Sequence, residues 1–149
     1  MPANIPFMYR LWFEYVEPLT ALSGAYLAYF CPATYLRMTN APGSLAGTIP
    51  AIPPELATFV LKQLAAGFVF SGLAEAFVLH LTNDLRVYKA LVFTMLAGDI
   101  VYLSSLRGMG GSAWYWVQPW LWDSIGWGNF GIAWIGFVLR ALFLYEVGF

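Results

Sequence analysis

The chain has 149 residues, of which 60% are hydrophobic, 19% aromatic and only 10% charged. Water-soluble domains carry about 25% charged residues, so a fold of this length has too little polar side chain to cover its outside in water, and its solvent is lipid. Seven basic and eight acidic residues with no basic run exclude a nucleic-acid binder, while one cysteine and one histidine, Cys31 and His80, exclude an internal disulfide and a Cys/His zinc site.

In chain order, Met1 to Arg10 has its only cation at the tenth position, which is not the basic start of a cleavable signal peptide. The first apolar segment therefore reads as a retained helix. A helix that crosses the hydrocarbon core needs about 20 mainly apolar residues. Four stretches qualify: about Leu11 to Cys31, closed by Pro32; about Leu64 to Leu81, with Leu56 to Gln63 as interfacial first turns; about Ala90 to Leu106; and about Phe130 to Phe149. Residues 1–149 thus read as a single all-α domain, a four-helix transmembrane bundle. The first linker, Pro32 to Pro54, holds five of the nine prolines and is expected to be irregular, because proline cannot donate to a helix or sheet ladder. The third linker, Gly108 to Asn129, holds five of the seven tryptophans, whose amphipathic rings favour the headgroup boundary. It is expected to form an interfacial lid with a short helix near Pro119 to Ile125. With Arg140 set aside inside the fourth span, the other six Lys and Arg divide three against three between the two sides, so orientation is not legible.

Ionisable side chains inside a bilayer cost about 2.5–3.5 kcal/mol each on insertion scales and normally face a bundle interior. At about 1.5 Å of rise per residue, Glu14 lies roughly 4 Å into its span, Glu17 and Glu75 roughly 9 Å, Asp99 and Arg140 roughly 13 Å, and Glu146 roughly 4 Å. On the first span Arg10, Glu14, Glu17, Ala21, Gly24 and Ala28 follow steps of four and three, and on the fourth Asn129, Ala133, Gly136 and Arg140 do the same. Such stripes pair charge with small residues that let helices approach. The expected site contains Glu17, Glu75, Asp99 and Arg140, with Glu14, Tyr102, Asn129 and Trp127 at its margins. Three carboxyls around one guanidinium cannot all ionise cheaply in a low dielectric, so an acid and a base coexist there, which suits proton-transfer chemistry on a lipophilic molecule. The plainer reading makes Asp99 and Arg140 a structural pair joining two helices. His80 reads as an interfacial residue meeting water, Asp123 as a helix cap or solvated residue, and Arg86, Lys89 and Arg107 as membrane-edge anchors.

The segments FMYRLWFEYVEPLTALSGAYLAYFCPATYL, the GD at Gly98 and Asp99, and WGNFGIAWIGFVLRALFLYEVG resemble a family of small fungal four-span membrane proteins. The resemblance implies an epoxide hydrolase or cyclase step in a polyene-pyrone polyketide pathway, housed in the endoplasmic reticulum. It carries Glu14, Glu17, Asp99, Asn129 and Arg140 as site residues; Glu75 rests on depth alone. The expected reaction opens an epoxide of a lipophilic polyketide or meroterpenoid, with Asp99 as base, Arg140 orienting it, Glu17 or Glu75 as acid, and no cofactor or metal. Expected partners are that substrate, membrane lipid, and a second copy of the chain or a pathway enzyme. The competing readings are a non-catalytic binding or assembly subunit and a lipid or terpenoid isomerase or cyclase.

Overall fold

The computed structural model describes residues 5–39, 54–106 and 114–149, and among them the chain is all-helical, with no strand. Helix α1 covers 7–30, α2 Pro32–Thr39, α3 Glu55–Leu79, α4 Leu85–Ser105 and α5 Ser124–Leu144. The last three are long and apolar enough to cross a membrane. Helix α1 is long enough but carries Arg10, Glu14, Glu17 and Pro18 in its first half, and it is not among them.

Local chemistry sets the helix ends, and it moves several of the expected boundaries. Pro6 and Pro54 precede α1 and α3 in an extended backbone conformation, so α3 begins at Glu55 rather than at the first strongly apolar residue. Asp84 accepts the Arg86 backbone N–H at 2.8 Å and starts α4 at Leu85, five residues before Ala90. Asp123 accepts the Gly126 N–H at 2.7 Å and starts α5 at Ser124. Each is an aspartate satisfying an orphan donor of a first turn. Hydropathy had stopped at the charges; the caps continue past them. Where a short helix was expected, near Pro119 to Ile125, there is a 3₁₀ helix at Pro119–Leu121 followed by the start of α5, and another 3₁₀ turn, Tyr115–Val117, precedes it. At the other end α5 stops at Leu144, and Glu146 and Gly148 take positive φ (57° and 89°). Glu146 therefore lies outside the span that was expected to hold it, pairing with Lys89 instead.

The first linker also departs from expectation. Pro32 opens α2 rather than an irregular crossing, because at the first helical position its missing N–H costs nothing; Tyr35 closes the turn by donating to the Cys31 carbonyl at 2.9 Å. Pro42, Pro50, Pro53 and Arg107 lie outside the described residues.

Three apolar clusters show how the helices run. Tyr9, Phe13, Leu79, Tyr88, Val92 and Phe143 pack the start of α1, the end of α3, the start of α4 and the end of α5 together. At the opposite end Ala25, Ala28 and Ala65 join α1 to α3, while Leu103, Leu106, Tyr115 and Phe130 join α4 to α5. The four long helices thus alternate up and down. Outward lie Phe59, Phe70, Phe93 and Val101, the last three at 75%, 63% and 70% exposure. Large apolar side chains at that exposure are at home in hydrocarbon and not in water.

Three of the long helices contain one widened π turn each: Trp12–Val16, Glu75–Leu79 and Trp127–Gly131. The first has a visible cause. Pro18 has no N–H to give and its ring would strike the carbonyl four residues back, that of Glu14. The helix widens there, and the Glu17 N–H reaches back five residues to the Trp12 carbonyl.

Candidate functional site

Each of the four long helices contributes one ionisable side chain to a single cluster. Arg140 of α5 sends Nη1 to Asp99 Oδ2 of α4 at 2.5 Å and Nη2 to both Glu17 Oε1 of α1 at 2.5 Å and Glu75 Oε1 of α3 at 3.0 Å. Arg140 and Glu75 are buried, with 5% and 4% of the side chain exposed; Glu17 and Asp99 are more open, at 15% and 19%. One guanidinium balances one carboxylate, so a neutral cluster holds two protons on its three carboxyls. A carboxylic acid beside a carboxylate is a pair able to give and take a proton.

Small residues make this approach possible. At Gly136, one turn before Arg140, an added Cβ would lie 3.0 Å from Glu17 Oε1 and 3.2 Å from Arg140 Nη1. At Gly72 it would lie 3.2 Å from the Ala21 Cβ and 3.3 Å from the Pro18 carbonyl oxygen, so this glycine sets the spacing of α1 and α3. Gly98, by contrast, has nothing within 4 Å of that position and does not serve close packing. Around Gly136 three buried polar atoms have no hydrogen-bond partner among the described residues: Trp12 Nε1, Glu17 Oε2 and Arg140 Nε. Buried polar groups are nearly always paired, so two donors and an acceptor beside the ion cluster mark a place suited to a polar group of a ligand. Trp12 is the member that sequence reasoning missed; its five-residue spacing from Glu17 becomes meaningful only across the π turn.

Glu14 does not join this cluster. Its carboxylate, with 1% of the side chain exposed, accepts from Arg10 Nε and the Tyr88 hydroxyl, each at 2.9 Å, and lies 3.4 Å from His80 Nδ1. The π turn separates Glu14 from Glu17 in direction, which the four-and-three spacing had placed on one face. His80, expected to meet only water, thus has a partner, although its side chain is 57% exposed. Tyr88, fully buried on α4, was missed because tyrosine carries no charge to attract attention.

Of the remaining marginal residues, Asn129 donates from Nδ2 to the Met38 carbonyl, tying α2 across the start of α5. It lines a chamber of about 290 Å³ between α1, α2 and α5, with Thr20, Ser23, Gly24, Tyr35 and Ile132. Burial pushes the Tyr35 phenol up to about 12. Tyr102 packs beside the Leu103–Phe130 cluster. Trp127 lines an apolar groove of about 500 Å³ with Trp122, Gly131, Trp134, Ile135 and Val138. Gly131, Ile135 and Val138 are nine, five and two residues from Arg140, about half a turn away, so the groove occupies the opposite face of α5 from the ion cluster. Asp123 caps α5, and Lys89 is held by Glu146. No group of His, Cys, Asp and Glu suited to a metal occurs among the described residues.

These features define a chain that is all-helical among the described residues, with three helices long and apolar enough to cross a membrane, built around a buried ion cluster. Residues 2–148 match the family described as a domain of unknown function, DUF7704, and the chain belongs to that family. No curated protein and no solved structure matches it.

Proposed function

We propose that the protein is a four-span, membrane-embedded acid–base enzyme that opens an epoxide of a lipophilic small molecule by hydrolysis or cyclisation, and that it works in the endoplasmic reticulum membrane. The observation that carries the reading is the Arg140 cluster, in which three carboxyls from three helices surround one guanidinium beside unpartnered buried donors and an acceptor. A pair of charges suffices to lock two helices, and the further carboxyls supply protons and proton acceptors. In the reaction, a carboxylic acid, Glu17 or Glu75, gives its proton to the epoxide oxygen as the carbon–oxygen bond breaks. The Asp99 carboxylate takes a proton from the attacking water or substrate hydroxyl as the new carbon–oxygen bond forms. Arg140 holds Asp99 in place with a charge-assisted hydrogen bond. One proton leaves the acid and one arrives at the base, so the cluster's total charge is unchanged. The polyene-pyrone resemblance of the sequence supports a polyketide as substrate. The alternation of α1 with α3 and α4 supports α1 as the fourth span.

The test incubates purified full-length protein in lipid nanodiscs with 1,2-epoxyoctane, trans-stilbene oxide and a terminal polyene epoxide in ¹⁸O-labelled water. Epoxide consumption that disappears in Asp99→Asn is expected, with label in the product for hydrolysis and none for cyclisation. No consumption by the wild type, or equal consumption by Asp99→Asn, refutes the reading and leaves the cluster as a structural lock. Cysteine labelling from each side tests the four spans, which require both chain ends on one side.

A further inference from the structure

The chamber between α1, α2 and α5 lies on the same helix seam as the ion cluster. Thr20 follows Glu17 by three residues on α1, and Ile132 precedes Gly136 by four on α5; the chamber therefore begins one turn along the seam from the Glu17–Gly136–Arg140 contact. Its volume of about 290 Å³ is at the lower end of small-molecule sites, which run from about 300 to 1,000 Å³. Leu19 and Ser23 at its edge are exposed, so it opens sideways, toward lipid in the four-span arrangement.

The polar atoms of its lining are already committed as donors. Thr20 gives its hydroxyl proton to the Glu17 carbonyl at 2.8 Å, Ser23 to the Leu19 carbonyl at 2.8 Å, and Thr39 to the Tyr35 carbonyl at 3.1 Å. Asn129 gives an amide N–H to the Met38 carbonyl. A hydroxyl has one proton to donate and two lone pairs to accept with, and an amide keeps its carbonyl oxygen. Tyr35 and the second N–H of the Asn129 amide apart, what these groups retain is acceptors. Between them lie Leu27, Met38 and Ile132, which want an apolar body.

We propose that this chamber binds the hydroxyl-bearing end of a lipophilic ligand, an alcohol or polyol with an alkyl or polyene body. The inference deepens the proposed enzyme by naming a hydroxyl as the recognised group, though binding itself requires no turnover. An apolar lipid tail would leave every one of these acceptors unused, whereas a ligand hydroxyl donates to them and reaches toward the cluster.

The test is photolabelling of the full-length protein in nanodiscs with 3-azi-1-octanol and with the matching diazirine octane that lacks the hydroxyl, followed by mass-spectrometric mapping. The alcohol is expected to label chamber residues such as Leu27 and Ile132 about five-fold more than the alkane does, the discrimination of roughly one hydrogen bond. Thr20→Val and Ser23→Ala are expected to reduce that ratio toward one. Gly24→Leu is expected to reduce chamber labelling: an added Cβ meets Phe68 at an ordinary 3.5 Å, and the rest of the leucine side chain takes up space beside the chamber lining. A melting curve for each variant establishes folding; should Gly24→Leu not fold, the two polar variants decide. Equal labelling by both probes, or a ratio unchanged in folded Thr20→Val and Ser23→Ala, overturns the proposal. Chamber labelling by the alcohol in a wild type that consumes no epoxide sustains the alcohol site and refutes the epoxide enzyme alone.

Discussion

Gly136→Ala is the smallest change that tests whether the ion cluster is built by close approach. The new methyl carbon would stand 3.0 Å from Glu17 Oε1 and 3.2 Å from Arg140 Nη1. Ordinary contacts begin several tenths of an ångström further out, so both charged groups must yield, and the 2.5 Å bond between Glu17 and Arg140 is the contact that lengthens. Overpacking of this kind costs about 1–3 kcal/mol, while alanine in place of helical glycine returns about 1 kcal/mol. The net is a loss of about 0–2 kcal/mol. Gly67 and Gly98 provide the comparison, since a Cβ there meets nothing within 4 Å; alanine at either keeps the full propensity gain of about 1 kcal/mol. Gly136→Ala should therefore melt about 3–9 °C below Gly67→Ala and Gly98→Ala, at about 3 °C per kcal/mol for a chain of this size. The assay is thermal unfolding of the three variants in one detergent. Equal melting temperatures would mean that the cluster has slack at Gly136 and that the small-residue seam is incidental.

Asp99→Asn should abolish epoxide consumption in a protein that still folds in detergent, because an amide matches the carboxylate in shape but takes up no proton; Arg140→Lys should lose less activity than Arg140→Leu, since lysine keeps a charge without the forked guanidinium. If the pair is only a lock, the same variants lower melting temperature and leave activity per folded molecule unchanged. Tyr88→Phe removes a 2.9 Å bond to the buried Glu14 carboxylate and should cost about 1.5–3 kcal/mol, read as a lower melting temperature; an unchanged one would place no weight on the Glu14 cluster. Tyr35 titrates in the folded chain at about 12, above the ordinary 10 of a phenol. The folded state thus holds this proton more tightly, and the associated stability is complete below pH 10 and lost as pH rises through 12. Tyr35→Phe should lessen the alkaline decline; an identical profile rules Tyr35 out as its source.

The presence of long apolar helices was legible in the composition, and so was the gathering of Glu17, Glu75, Asp99 and Arg140, because charge is scarce in this chain and buried charges seek partners. Helix starts were less legible. Asp84 and Asp123 lie among polar residues that hydropathy assigns to loops, yet each caps a first turn. Facing was legible only where the helix keeps its ordinary pitch. Asn129 and Arg140 were assigned to one stripe across Trp127–Gly131, and Glu14 and Glu17 to another across Trp12–Val16; both stripes pass through a widened turn. Pro18 is the residue that announces the first of these, and reading it as a helix perturbation rather than as one proline among nine would have separated Glu14 from Glu17.

The positions of the three widened turns bear on why a membrane chain carries two polar clusters rather than one. A π turn takes one more residue than an α turn and shifts the faces on either side of it relative to each other. In α1 it lets Arg10 and Glu14 face His80 and Tyr88 while Glu17, three residues on, meets Arg140. In α3 the turn begins at Glu75 itself, and Leu79 beyond it packs in the apolar cluster with Tyr9 and Phe143. In α5 it lies between the Asp123 cap and the seam that carries Gly136 and Arg140, and it holds Asn129 against α2. One apolar cluster packs all four long helices together at one end, and two further clusters join them in pairs toward the other, with the Arg140 layer between. The chamber between α1, α2 and α5 lies along the seam from this layer, with exposed Leu19 and Ser23 at its edge. For the enzyme proposed above, entry from that side selects molecules already dissolved in the bilayer over those that prefer water.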